Sequence, residues 1–221
     1  MKKNLVIFGA GEIAQIAYYY FTNDSEYRVA AFSIDKEFID GDDLFGLPIV
    51  SFEEITTIYP PHKYEIFIAL SYAKLNQVRK DKFLIAKELG YKFASYISSR
   101  ASVLNNGMIG ENCFLLEDNT IQPFVRIGNN VTLWSGNHIG HHSVIKDHVF
   151  ISSHVVISGG VEICEQCFIG VNATIRDHVS IGEKCVVGAG ALLLASAEPE
   201  GVYLAESTQR SRVPSTRLRK I

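Results

Sequence analysis

Five histidines, His138, His141, His142, His148 and His154, crowd into one short stretch of the chain. An imidazole titrates near neutrality, so such a cluster offers either a general base or a set of metal ligands. Eighteen residues beyond His141-His142 stands Gly159-Gly160. If the chain brings these pairs together, the glycines leave room for a substrate and expose backbone N–H groups beside a base. Acyl transfer uses that combination, a proton acceptor for the nucleophile and donors for the oxyanion. The plainer reading of Gly159-Gly160 is a tight turn. A second candidate is Gly9-Ala10-Gly11 with Ala14, between an apolar strand and a helix, which matches the start of a dinucleotide fingerprint. Asp35, at the end of the next strand, stands where a ribose-binding carboxylate belongs, and Ser71, Asn76 and Arg79 follow a third strand as contacts for sugar or phosphate. Glu12 puts a negative charge at the helix start, which turns that loop toward the nucleoside more than the diphosphate. Cys164-x-x-Cys167 is half a zinc motif with no second half, so no metal is expected.

The elements that must position these groups are set by a repeat. An aliphatic residue recurs at every sixth position from Val103 to Leu193, and four places later comes a small or β-branched side chain such as Cys113, Val125, Val131, Cys167 or Cys185. So short and sustained a period marks a β-solenoid. Three six-residue sides close one triangular coil, and residues eighteen apart stack, each coil rising about 4.8 Å. The fourth residue of each hexad turns a corner in the left-handed region, which Gly, Asn, Asp and His tolerate best. Asn106, Asp118, Asn130, Gly136, His142, His148, His154, Gly160, Asn172, His178 and Gly190 all fall there. Turn chemistry therefore explains His142, His148, His154 and His178. His141, at the third position, and His138, ending the preceding hexad, are left for chemistry.

Before the repeat the pattern alternates strands and helices: a strand at 4–9, a helix through Phe21, a strand at 28–34, an edge segment at 46–50, a short helix at 52–59, a strand at 65–70, a helix at 74–89 and a strand at 93–97. That is a small parallel α/β unit. We therefore expect an α/β domain over 1–100, a β-solenoid over 101–205 and a basic tail over 206–221. A formal net charge of −3 gives no reason to expect nucleic acid, no apolar run is long enough for a membrane span, and a cytoplasmic location is expected. Flat solenoid faces need covering, and a homotrimer is the expected solution.

Taken together, the hexads, the histidine pair and the N-terminal glycine loop resemble the left-handed β-helix acetyltransferases. They resemble more closely the bacterial sugar acetyltransferases of the sialic acid O-acetyltransferase and bacillosamine-pathway N-acetyltransferase group. The resemblance implies a Rossmann-like nucleotide-sugar-binding domain followed by a left-handed parallel β-helix. It also implies acetyl-CoA as co-substrate, a nucleotide-linked amino sugar (a 4-amino-4,6-dideoxyhexose) as acceptor, and a role in surface polysaccharide assembly. His141 takes the place of the family's general base. The acidic residue that follows that base in the family is here His142, so His138 or an acidic group from another subunit is an alternative partner or base. Acetyl-CoA would lie between neighbouring solenoids, its acetyl end near Gly159 and its pantetheine arm along Val171 and Ala189. The family's usual ending is missing; the tail with Arg210, Arg212, Arg217, Arg219 and Lys220 either reaches the CoA phosphates or is solvated. Sugar O-acetylation is the nearest alternative, and a non-catalytic or metal-binding trimeric solenoid the more distant one.

Overall fold

The computed structural model describes residues 2–217. Its first part is an open sheet in the order β3 (Asp43–Leu44), β4 (Leu47–Ser51), β2 (Tyr27–Ile34), β1 (Lys3–Phe8), β5 (Glu65–Ile68). All neighbours are parallel except the β3–β4 hairpin. Leu5, Val6, Ile7 and Phe8 are all buried, as a central parallel strand covered on both faces requires. Helix α1 (Glu12–Asn23) buries Ala14, Ala17 and Phe21 against one face. Helices α2 (Ile55–Ile58) and α3 (Gln77–Glu88) cover the other through Ile55, Phe83 and Ala86. Two expectations need correction. Lys74, Leu75 and Asn76 have φ of 49, 52 and 64°, so α3 begins at Gln77 and not at Lys74. The expected strand 93–97 is divided: Phe93 bridges Ile66 of the sheet, while Tyr96–Ile97 already pairs with Phe114–Leu115 as a rung of the solenoid.

The second part is a left-handed parallel β-helix of two-residue strands. A first face has seven strands, from Tyr96–Ile97 to Val202–Tyr203; a second has six, from Ser102–Val103 to Leu192–Leu193; a third has four, from Arg126–Ile127 to Ser180–Ile181. The chain visits them in that order, and partners differ by eighteen residues: Thr132 with Phe150, His138 with Val156, Val144 with Glu162. The aliphatic column and the small residues fill the interior as one continuous core. Every corner foreseen from the sequence is left-handed, including His142 (φ 60°), His148 (65°), His154 (58°) and His178 (56°). Asn112, Phe124, Gln166 and Lys184 complete the same column. Residues 205–217 are exposed; Arg210, Arg212 and Arg217 form no ion pair among the described residues, and Arg219 and Lys220 lie outside them.

The α/β unit sits on the first face. Phenylalanines at the outward strand position, Phe114, Phe150 and Phe168, meet Tyr20, Phe67 and Tyr72 with ring centroids 4.7–6.0 Å apart. A polar network locks the corner between the third and first faces. The guanidinium of Arg79, fully buried, donates to the carbonyl of Asn130, to Asn76 Oδ1 (2.9 Å) and to the carbonyl of His148 (3.1 Å). Asn112 Oδ1 accepts from the N–H of Ile68 (2.7 Å), and Asn76 Nδ2 donates to the carbonyl of Cys167 (3.1 Å). Burial lowers the Arg79 pKa to about 10, which leaves it charged at neutral pH.

His148 belongs to this network as an acceptor, with Asn130 Nδ2 2.9 Å from its Nδ1. Burial foremost, then the charges of Lys80 and Arg79, lower its pKa from 6.5 to about 4, against the opposing pull of Asp147. The unfolded chain takes up a proton that the folded chain refuses until about pH 4. The stability from neutral His148 is therefore complete above pH 6.5 and lost as pH falls toward 4. Asparagine keeps the left-handed corner and carries no titrating proton. Between pH 7 and 4.5, urea unfolding of the wild type should lose about 2 kcal/mol more than that of His148→Asn. Equal losses would contradict the assignment.

Candidate active site

Two separate places gather the residues singled out from the sequence. The first is a cleft of about 670 Å³ between the α/β unit and the first face, lined by Gly11, Glu12, Ile13, Ile16, Ala69, Leu70, Ser71, Tyr72, Ala73 and Trp134. It adjoins a smaller hollow of about 220 Å³ that shares Ile13, Tyr72 and Trp134 and extends over Phe150, Ser152 and Ser153 to Val171. Gly9 is needed behind the cleft: its φ is 120°, and a Cβ there would lie 2.7 Å from the carbonyl oxygen of Ala69. Gly11 faces open space, and no side chain caps the start of α1. Uncapped N–H groups at a helix start beside an open glycine suit a phosphate or a polar edge of a nucleoside. Ala10 is in the loop but does not line the cleft.

Three expected substrate contacts are placed elsewhere. Asp35 pairs with Lys82 and is not among the lining residues. Asn76 and Arg79 spend their hydrogen bonds on the solenoid and are completely or almost completely buried. Their type and position after a strand suggested a ligand, but the reversal of the chain at Lys74–Asn76 turns them onto the third-to-first corner. In their place the cleft offers Tyr72 and Trp134. A signal was available for Trp134 alone: the single tryptophan falls beside an inner position of a hexad, among phenylalanines spaced by multiples of eighteen.

The second place is the corner between the second and third faces. His141 is exposed, with its backbone N–H donating to Gln122 Oε1 at 2.8 Å. Its imidazole lies over Gly159 of the next coil, as the eighteen-residue stacking requires. A Cβ on Gly159 would stand 2.6 Å from Cε1 and 2.7 Å from Nε2 of that ring. The N–H of Gly160 is used, donating to the carbonyl of His141 (2.8 Å); that of Gly159 donates to no group among the described residues. His141 Nδ1 is 3.1 Å from His142 Nδ1, and the His142 ring rests on Phe124 with centroids 4.6 Å apart. His138 is half-buried on the second face between Thr120 and Val156, with no hydrogen bond to either histidine among the described residues. Val171 and Ala189 stack at the first-to-second corner, where the N–H of Gly190 donates to the carbonyl of Val171. No group of three or more His, Cys, Asp or Glu side chains able to hold a metal exists among the described residues. An exposed imidazole whose Nε2 is left without a partner among the described residues can take a proton, and the neighbouring Gly159 N–H can hold a developing oxyanion.

Gly159→Ala should push the His141 ring toward solvent and shift its ring-proton NMR signals, with Tm nearly unchanged because the obstructing atoms end an exposed side chain. Unmoved signals would mean that the ring does not rest on Gly159.

Residues 106–141, 125–159 and 160–195 each match the family profile described as bacterial transferase hexapeptide (six repeats). Among solved structures, the chain is similar to PerB from Caulobacter crescentus, crystallised with CoA and GDP-perosamine: TM-score 0.76, 20% identity, covering 90% of this chain and 92% of that one. It is similar to WeeI from Acinetobacter baumannii, with TM-score 0.75, 21% identity and coverage of 91% and 96%. The acetyltransferase domain of PglB from Neisseria gonorrhoeae gives TM-score 0.60, 19% identity and coverage of 89% and 93%. Residues 106–195 thus match bacterial transferase hexapeptide repeats, and the chain has, over nine-tenths of its length, the fold of these solved structures.

Proposed function

We propose that this protein is an acetyl-CoA-dependent N-acetyltransferase acting on a nucleotide-linked amino sugar, of the 4-amino-4,6-dideoxyhexose type, for surface glycan assembly in the cytoplasm. The observation that carries the reading is His141 lying on Gly159 beside that residue's free N–H. Support comes from the separate cleft at the glycine loop, sized for a nucleotide, and from the fold shared with PerB, which was crystallised with CoA and GDP-perosamine. The sugar nitrogen attacks the thioester carbonyl carbon and a C–N bond forms. His141 Nε2 takes the proton released by that nitrogen, while the Gly159 N–H donates to the oxyanion. The C–S bond then breaks, and the imidazolium returns its proton to the departing thiolate, so the enzyme ends unchanged.

The cleft and the histidine lie on different edges of one prism. The glycine-loop cleft extends toward Val171 at the first-to-second corner, whereas His141 is at the second-to-third corner. Three-fold association would set one subunit's His141 edge beside a neighbour's Val171–Ala189 edge, with CoA in the groove between. The exposure of Val156 (41%), Phe124 (62%) and Leu192 (63%) along the second face and its edge agrees with such a covered surface. We therefore read the working form as a homotrimer. N-acetylation is preferred over O-acetylation because a sugar amine needs less help from a base than a hydroxyl, and the partner of His141 here is an imidazole in place of a carboxylate.

The test is thiol release from acetyl-CoA against a panel of GDP-, UDP-, dTDP- and CMP-linked amino sugars, with light scattering for the assembly state. His141→Ala should lower kcat by about 10²–10⁴ while acetyl-CoA binding changes little. Near-wild-type turnover in that variant would remove His141 as base, and a monomer in solution would remove the shared groove.

A further inference from the structure

We propose that His142 is a positioning residue: its Nδ1 accepts the Nδ1 proton of His141 and so keeps Nε2 of His141 as the nitrogen with the free lone pair. The proposal rests on His141 being the base, and the arrangement of protons is tested apart from activity. The two Nδ1 atoms are 3.1 Å apart. A single proton fits between nitrogens that close, so one ring donates and the other accepts. The Cε1–Nε2 side of the His141 ring lies over Gly159, and Nε2 has no acceptor within hydrogen-bonding distance among the described residues. Both rings are exposed, so the outer Nε2 of either can meet water. Only the arrangement with the His141 proton on Nδ1, pointing at His142, leaves the nitrogen beside Gly159 with its lone pair free, and the proposal takes that arrangement.

The placing of His142 serves this role. Its left-handed backbone (φ 60°) fixes where the side chain leaves the corner, and the Phe124 ring supports one side of the imidazole. The two imidazoles meet nearly perpendicular, at 85°, edge toward edge. Turn chemistry alone explains none of this, since glycine or asparagine would make the corner as well. A neutral acceptor sets the ring and its tautomer, as an outer partner does for a metal-bound histidine, but adds no negative charge to strengthen the base. That suits an amine nucleophile better than a hydroxyl.

Two corner-preserving variants separate the turn from the acceptor. His142→Gly keeps the left-handed backbone and removes the acceptor, while His142→Asn keeps the backbone and supplies Oδ1. Nitrogen NMR of the imidazole rings should show His141 protonated at Nδ1 in the wild type and in His142→Asn, with protonation moving toward Nε2 in His142→Gly. In the thiol-release assay His142→Gly should lose about ten- to a hundredfold in kcat with KM for acetyl-CoA little changed, and His142→Asn should recover most of it. A wild-type His141 carrying its proton on Nε2, or a His142→Gly enzyme as fast as wild type, would overturn the proposal. A wild type that releases no thiol from any acceptor would instead sink the transferase reading, and the NMR would still decide the tautomer.

Discussion

Every sixth residue from Asn106 to Gly190 takes a backbone conformation that few side chains adopt cheaply, and the rest of the solenoid depends on it. A corner at each such place gives three flat sides, and three sides of equal length put residues eighteen apart in one column. A slip of one residue would turn the aliphatic column outward, so burial of that column fixes the register along the whole prism. The meeting of His141 with Gly159 is a consequence of that register. The same column logic sets His154 against Gly136 and His178 against Gly160, where a Cβ would come within 2.5 Å of the imidazole in each case. Glycine at these corners therefore satisfies two conditions at once, at Gly136 and Gly160 the left-handed turn and at all three the room for a ring above or below.

Attachment of the α/β unit depends on a different kind of contact. Its aromatic packing on the first face is non-directional, and by itself would allow the unit to slide along a surface that repeats each coil. The hydrogen bonds of Arg79, Asn76 and Asn112 to particular corner carbonyls and amides allow one seating only. Removing one partner from such a buried network leaves a desolvated polar group behind, at a cost of about 1–3 kcal/mol for each neutral group. The seating in turn sets the distance between the glycine loop and Trp134, and so the width of the cleft.

The fold was legible where the chain repeats, because a six-residue period and left-handed corner residues leave one geometry. The histidine–glycine pair was legible for the same reason. The α/β unit was less so. Its strands and helices could be placed, but nothing local to Asn76 or Arg79 announces that three left-handed residues before α3 will turn them onto the solenoid. Asp35 matched a ribose contact by position alone, and Lys82, in the second turn of α3 and distant in sequence, claims it. Contacts between units depend on side chains that no periodicity constrains, and Tyr72 and Trp134 came together only once the units were docked.

An exposed base is a poor catalyst on its own, since water competes for every hydrogen bond that should be reserved for the transition state. His141 stands exposed on an outer edge of the prism, with Gly159 and the adjoining His142 against its ring. The glycine-loop cleft, in contrast, is walled on two sides but has no imidazole among its lining residues. On the proposed reading each edge supplies what the other lacks. A three-fold assembly of a triangular prism is the simplest arrangement that sets unlike edges of identical chains against each other three times over, and it would desolvate His141 in the same act that brings it a substrate.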